Sequence, residues 1–272
     1  MTTLCVLSPS TPTQLCGSLS NGRRRFHRRL YARGLHVPFL HAESVDSTNA
    51  WAERELAQGR HTPFVLLADT QNAGVGQRGH QFDSPAGTGM YCTYVLSATP
   101  EQMMLLMPAA GVAASRACAI VSGTTPRLKW VNDLLVGRNK ISGILAWIRQ
   151  DRAGHPVAVL GWGLNLALPA NRPLVANQPV AGLWAVAPNP DPRPALLANF
   201  LTELTTLLDT PVTIMPAYRR LAAGIGWRVH IDDGQRQLDG TLAGFADNGN
   251  AIVKTSTGTV TVAHGTLRYE QL

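Results

Sequence analysis

The chain has 272 residues, 45% of them apolar and only 15% charged, which is the balance of a globular protein with one or two sizeable cores. No run of about 18 uninterrupted apolar residues occurs, so a membrane-spanning helix is excluded. The net charge of +7 is concentrated in residues 1–37, which hold six arginines and no Asp, Glu or Lys; of the 24 Lys and Arg only 18 remain, against 17 Asp and Glu, so a nucleic-acid-binding body is not indicated.

Residues 1–37 are rich in Ser, Thr, Pro, Gly and Arg without a hydrophobic period, and form an expected basic, poorly ordered extension. Three readings stay open for it: disorder or a start upstream of the true one, an acid-free targeting peptide, and a basic arm for nucleic acid. The composition favours the first.

From Pro38 helical and extended patterns alternate. Ser47-Thr48-Asn49 can cap a helix through Trp51, Leu56 and Ala57. Phe64 to Ala68 reads as a buried strand, Gly74 to Gly79 as a glycine-rich loop and Gly89 to Leu96 as another strand. Glu101 to Ser122 reads as a long core helix that Pro108 kinks or splits. Arg127 to Val136 and Lys140 to Ile148 read as a strand pair joined near Gly137, and Val157 to Leu166 as a further strand. Pro169 to Pro194 is a long connection. Leu197, Phe200, Leu201, Leu204 and Leu208 then mark the buried stripe of a helix. Past Gly226 short alternating strands are separated by turns at Asp232-Asp233-Gly234, Asp247-Asn248-Gly249-Asn250 and Thr257-Gly258, as in hairpins. Two domains follow from this: residues 38–224, and a small β unit over 225–272.

Four cysteines (Cys5, Cys16, Cys92, Cys118) lie far apart without CxxC or Cys/His spacing. Neither a disulfide framework nor a zinc site is expected, and a reducing cytoplasm fits. Two clusters carry chemistry. In Gln71-Asn72-Ala73-Gly74-Val75-Gly76-Gln77-Arg78-Gly79-His80, glycines let the backbone approach a ligand and aim N–H groups at an anion. The segment leads to Phe82, Ser84 and Pro85 without opening a helix, which excludes a dinucleotide fingerprint, and no Gly-Lys-Ser/Thr follows, which excludes a P-loop. In Lys129-Trp130-Val131-Asn132-Asp133-Leu134 and Lys140-Ile141-Ser142-Gly143-Ile144-Leu145, two lysines flank one hairpin in apolar surroundings, an arrangement suited to meeting an anion. Solvated strand-edge lysines are the bland alternative.

These clusters, with Ser44-Val45-Asp46-Ser47-Thr48-Asn49 before them and Gly161-Trp162-Gly163-Leu164-Asn165 after, resemble in order and spacing the biotin protein ligases, over about residues 40 to 170. The resemblance implies an α+β fold with a class II synthetase-like mixed sheet and flanking helices, followed by a small SH3-like β-barrel. It implies that biotin is activated by MgATP to an adenylate and passed to a lysine of a biotin carboxyl carrier domain. It also implies roles for single residues. Ser47, Thr48, Asn49 and Gln71, with the backbone of Gly74 and Val75, would hold the ureido ring, while Gly143, Ser142, Gly161 and Gly163 leave room for the bicyclic ring and valeryl chain. Lys140 would stand between the biotin carboxylate and the α-phosphate as the catalytic residue. Gln77, Arg78, Phe82, Lys129, Asn132 and Asn165 would face the nucleotide. Asp133 is open between orienting a lysine and an ordinary salt bridge, and no metal ligand is assigned beyond the magnesium carried with ATP.

The pattern departs from the family at two places. Val75 and Gln77 stand where arginines that grip the phosphate are usual, and Val131 stands where proline is usual. A lipoate or octanoate ligase of the same architecture and a biotin sensor without transfer activity are the rival readings. A winged-helix repressor is disfavoured because the residues before Pro38 are too few. The expected partners are ATP and the carrier domain, with no membrane and no nucleic acid, and the chain is a monomer or a homodimer.

Overall fold

The computed structural model describes residues 37–79, 81–168 and 179–270. Residues 1–36 of the expected extension and residues 169–178 of the Pro169–Pro194 connection lie outside the described residues. The N-terminal body runs β1 (Phe39–Val45), α1 (Thr48–Ala57), β2 (Phe64–Gln71), a 3-10 turn (Gln77–Gly79), β3 (Gly89–Leu96), α2 (Pro100–Met104) and α3 (Leu106–Ser122). It continues through β4 (Arg127–Lys129), β5 (Asp133–Val136), β6 (Asn139–Gln150), β7 (Pro156–Asn165), α4 (Arg193–Asp209) and α5 (Ile214–Leu221). Its seven strands form one sheet in the order β1-β2-β3-β7-β6-β5-β4. β1 and β2 are parallel and the other neighbours antiparallel, so the sheet is mixed and the class is α+β.

Local chemistry accounts for the helix boundaries. Ser47 caps α1 by accepting from the Asn49 amide. The expected long helix is broken, but at Leu105 and not at Pro108. Thr99 and Gln102 form a capping box that starts the five-residue α2, and Pro108 falls in the first turn of α3, where its missing N–H has no intrahelical partner to lose. Gly123 ends α3 at φ 76, which glycine adopts without strain. The expected strand Arg127 to Val136 is likewise interrupted, by a turn at residues 130–132, so that β4 folds back on β5 with Lys129 opposite Asp133.

The sheet separates two apolar layers. On one face α1 packs Trp51, Ala52 and Leu56 against Phe64, Leu66, Val95, Val157 and Val159. On the other face Trp162, Leu160 and Leu164 meet α3 and α4, where Trp162 lies 4.4 Å from the Phe200 ring. Strand period two decides which residues go where: Trp162 and Leu164 face the core, so Gly161, Gly163 and Asn165 face the opposite side.

The C-terminal unit has β8 (Arg228–Asp232), β9 (Gln237–Phe245), β10 (Ala251–Thr255), β11 (Gly258–Val262) and β12 (Thr266–Tyr269), the first four joined at the three expected turns. They form a five-stranded antiparallel sheet ordered β11-β10-β9-β8-β12, with β11 and β12 at its two edges. Its apolar residues belong to the same core as α3 to α5. The Trp130 indole donates to the Gly249 carbonyl at 3.1 Å, Arg219 donates to the Phe245 carbonyl at 2.9 Å, and the Tyr269 hydroxyl donates to the Ala223 carbonyl at 2.9 Å. The Trp130 bond ties the hairpin tip of the small sheet directly to the turn between Lys129 and Asp133.

Candidate functional site

A cavity of about 580 Å³ opens on the sheet face that carries α1. Its floor is β7 and β6, where Gly161 lies opposite Leu145 and Gly163 opposite Gly143. The missing side chains are what make the floor. A Cβ on Gly161 would overlap the Asn49 carboxamide, and one on Gly163 would lie 2.7 Å from the Phe82 ring.

At the Gly161 end the wall is a closed set of hydrogen bonds. Gln71 Oε1 accepts from the Thr48 amide at 2.8 Å and faces the Thr48 hydroxyl at 3.1 Å, while Gln71 Nε2 donates to Ser84 Oγ at 2.9 Å. The Thr93 hydroxyl donates to Asn49 Oδ1 at 2.7 Å and lies 2.9 Å from Thr48 Oγ1. Thr48, Asn49 and Thr93 are buried. Polar groups held this way are rigid and offer directed donors and acceptors to a ring that enters beside them.

At the other end the wall is cationic. Asp133, buried, faces Lys140 Nζ with one carboxylate oxygen at 2.6 Å and Lys129 Nζ with the other at 3.9 Å. The Lys140 ammonium lies over Gly143, 3.7 Å from where a Cβ would sit. Its backbone is fixed by bonds to Pro179 and Ala181, at 2.8 and 2.9 Å. Burial pushes the Lys129 ammonium below the usual lysine value; Asp133 opposes this, and the positive charges of Lys140 and Arg268 add to it. Asn132 donates its amide to the Ile144 carbonyl at 3.0 Å. The two ends are two residues apart on β7, about 7 Å along a strand.

Of the residues singled out in the sequence, Thr48, Asn49, Gln71, Val75, Gln77, Phe82, Lys129, Asn132, Lys140, Gly143, Gly161, Gly163 and Asn165 line this one cavity. Ser47 is spent as the α1 cap and Gly74 is buried against Phe82 and Ser84; the Arg78 side chain lies outside the described residues. Ser142 is a correction. It faces the core, where its hydroxyl accepts from the Trp162 indole at 2.9 Å and donates to the Gly163 carbonyl at 2.7 Å, because adjacent strand residues point to opposite faces. Phe82, expected beside the nucleotide, lies on the glycine floor itself and meets Tyr91 edge to face with centroids 6.3 Å apart. The Trp130–Val131 peptide at the second departure is cis.

Sequence reading missed Thr93, Tyr91, Asp133 as the anchor of both lysines, and the strand Gly265 to Tyr269, which also lines the cavity. Alternation along β3 could have found Tyr91 and Thr93, which flank the buried Cys92. Nothing local marks the last strand.

Residues 41–165 match the biotin/lipoate A/B protein ligase family. The biotin--[acetyl-CoA-carboxylase] ligase of Paracoccus denitrificans is 31% identical over 225 residues, covering 79% of this chain and 93% of that protein. The bifunctional ligase/repressor BirA of Escherichia coli (strain K12) is 28% identical over 167 residues, 61% of this chain, and the match spans about half (51%) of that longer protein. Among solved structures, the biotin protein ligase from Aquifex aeolicus in complex with biotin and ATP superposes with a TM-score of 0.73 at 22% identity, over 85% of this chain and 99% of that one.

Proposed function

The chain belongs to the biotin/lipoate A/B protein ligase family, and from that premise we propose that it activates biotin with MgATP and transfers it to a lysine of a biotin carboxyl carrier domain. The observation that carries this reading is the two-ended cavity: a hydrogen-bonding wall at Gly161 and a paired-lysine wall about 7 Å away, over a floor without side chains. Biotin has the matching ends, a polar ureido ring and a carboxylate on a flexible chain.

In this reading Thr48, Asn49 and Gln71 hold the ureido ring, supported by Ser47 from its capping position and by the backbone at Gly74 and Val75. Gly143, Gly161 and Gly163 let the ring and chain lie on the sheet. Lys140 meets the carboxylate where it attacks the α-phosphorus, and its ammonium stabilises the charge that builds on the phosphoryl oxygens as pyrophosphate leaves. Lys129 adds charge beside it, and Gln77, Arg78, Phe82 and Asn165 bound the nucleotide. Magnesium arrives with ATP. Among the described residues no three His, Cys, Asp or Glu side chains cluster to form a cage, but the carboxamide oxygen of Asn132, whose amide is already engaged, suits a hard cation held mainly by phosphates. The acceptor amine then attacks the acyl carbonyl of the adenylate and AMP leaves. Neither step needs an enzyme nucleophile, so positioning and charge neutralisation carry the catalysis.

Octanoate or lipoate would place an alkyl or dithiolane end against Thr48, Asn49 and Gln71 and shut water away from their remaining hydrogen-bonding capacity without replacing it, which disfavours that rival. The smaller C-terminal sheet is read as the SH3-like unit of the family, with 38–224 as the catalytic domain of class II synthetase type and 225–272 as its appendage. A reducing cytoplasm suits the two described cysteines, Cys92 and Cys118, which are free and buried; among the described residues no helix is long and apolar enough to cross a membrane.

The test presents biotin, lipoate and octanoate in parallel with MgATP and a biotin carboxyl carrier domain, measuring pyrophosphate release and acyl transfer for the wild type and Lys140→Ala. The expected result is biotin-dependent transfer that Lys140→Ala lowers by at least a hundredfold. Activity confined to lipoate or octanoate would move the protein to the sister ligases, and biotin binding without either step would make it a sensor.

A further inference from the structure

α1 carries two carboxylates that each take an indole N–H and a guanidinium. Glu55 is buried, accepts from the Trp51 indole of its own helix at 2.9 Å and pairs with Arg60, which closes the end of α1 on itself. Glu53 reaches off the helix. One of its oxygens accepts from the Trp147 indole at 3.1 Å and from Arg149 Nε at 2.9 Å, both on β6, and the Arg149 guanidinium lies 5.4 Å from the centre of the Trp147 ring. Asn49 and Glu53 are one helical turn apart, so they share a face of α1 about 6 Å from each other. On the sheet beneath, Leu145 lies opposite Gly161, and Trp147 is the next β6 residue on that face, about 7 Å further on. The two spacings nearly match: α1 meets the sheet at Asn49 over Gly161 and, one turn later, at Glu53 over Trp147 and Arg149.

That second support bears on the cavity. Asn49 comes so close to β7 that a Cβ on Gly161 would lie 2.4 Å from its carboxamide oxygen, and Thr48, one residue before, is tied to Gln71 and Thr93. A helix pinned only at that end can roll or lift about it, and either motion changes the gap between Thr48, Asn49 and the glycine floor. The burial of Trp51, Ala52 and Leu56 holds the helix down but resists rolling weakly, because apolar attraction is non-directional. Hydrogen bonds to a carboxylate have direction. We propose that Glu53, Trp147 and Arg149 form a clamp that fixes the roll of α1 over β6, which makes them positioning residues for biotin although none of the three lines the cavity. The inference rests on the ligase reading and deepens it: the clamp ties the wall for the ureido ring to β6, the strand that also carries Gly143 and Lys140.

The Arg149 and Glu53 side chains are 48% and 43% exposed, so their replacement should leave the fold intact and act on position more than on stability. For Glu53→Ala the dissociation constant and the Michaelis constant for biotin should each rise about three- to tenfold, as expected for an exposed ion pair and an indole hydrogen bond lost together. The kcat, the Michaelis constant for MgATP and the binding of inorganic pyrophosphate should stay within about twofold of the wild type. Glu53→Gln keeps an acceptor for the indole and should recover most of the affinity. Arg149→Ala should cost less than Glu53→Ala, and adding it to Glu53→Ala should cost nothing more, since Arg149 acts through Glu53. Amide hydrogen exchange on the ligand-free chain reads the clamp without biotin: Thr48 and Asn49, whose amides donate to Gln71 and Ser47, should exchange about three- to tenfold faster in Glu53→Ala, with β3 unchanged. Biotin affinity or exchange at Thr48 and Asn49 within about twofold of the wild type overturns the proposal, and so does an equal loss of pyrophosphate binding or full additivity of the two alanine changes. If the wild type binds lipoate or octanoate in place of biotin, or none of the three, the ligase reading falls by itself, and the exchange at Thr48 and Asn49 still decides the clamp.

Discussion

Replacing Asp133 by asparagine keeps the shape of the side chain and removes the carboxylate that the two lysines share. Its oxygens lie 2.6 Å from Lys140 Nζ and 3.9 Å from Lys129 Nζ, which at an effective dielectric constant of about 20 amounts to roughly 6 and 4 kcal/mol of gross attraction. Most of that offsets the cost of drawing three charges out of water, and removing one member of a buried pair has a net cost of about 3 to 5 kcal/mol. The low end applies, because the Lys140 side chain remains 28% exposed. With a urea m-value of about 3 kcal/mol/M, a loss of about 3 kcal/mol lowers the unfolding midpoint by about 1 M. The deficit should shrink when inorganic pyrophosphate is added, since an anion then replaces the lost countercharge. There is a pH signature as well. In the wild type Lys129 titrates below the ordinary 10.5, so folding carries a penalty that is full below the folded value and fades as pH rises from there to 10.5. Asp133 is the influence that raises this pKa; without it the ammonium loses its proton earlier, and the alkaline limb of kcat/KM for MgATP moves to lower pH. A midpoint within about 0.2 M of the wild type, together with an unmoved alkaline limb, would refute the claim that one carboxylate organises this end of the cavity.

Two further substitutions test the floor and the loop. Gly161→Ala forces the Asn49 carboxamide aside and breaks its bond with Thr93, an overpacking cost of about 1 to 3 kcal/mol; biotin affinity measured by calorimetry should fall about ten- to a hundredfold while pyrophosphate binding holds. Val75→Arg with Gln77→Arg adds the loop charge this chain lacks, and each charge-assisted contact is worth about 1.5 to 3 kcal/mol, so release of preformed biotinyl-5'-AMP should slow by about ten- to a hundredfold. Wild-type release as slow as that of the double variant would mean that the loop substitutions do not loosen adenylate retention.

What could be read from the sequence, and what could not, follows the range of the interactions involved. Gly89 to Leu96 and the helix after Ser47 were legible because a strand's apolar run and a cap-plus-stripe are set by neighbours a few residues away. β1 was not, since Phe39–Val45 interleaves His41 and Glu43 and draws its pairing from a parallel partner across α1. α5 was hidden by its eight-residue length and by Pro216 inside it. The lysine pair was visible as two charges in an apolar context, but that a single aspartate bridges both depends on the turn at 130–132 folding β4 back onto β5.

Ser142 and Gly143 show how a correct motif can still be misread by one residue. Both are small and adjacent, so composition alone allows either to vacate space for a ligand. A strand cannot send both to one face, and the choice between them is made elsewhere: Trp162 fills the core side and needs an acceptor for its indole N–H, which Ser142 supplies. Phase is therefore set by the largest buried side chain on the neighbouring strand, and once Trp162 is placed inward, Gly143, Gly161 and Gly163 are left facing outward together. The same logic runs along β12, where Leu267 and Tyr269 are drawn into the core and Arg268 is turned outward by default. The charged end of the cavity is thus positioned by hydrophobic burial, the strongest and least specific of the forces acting on the chain.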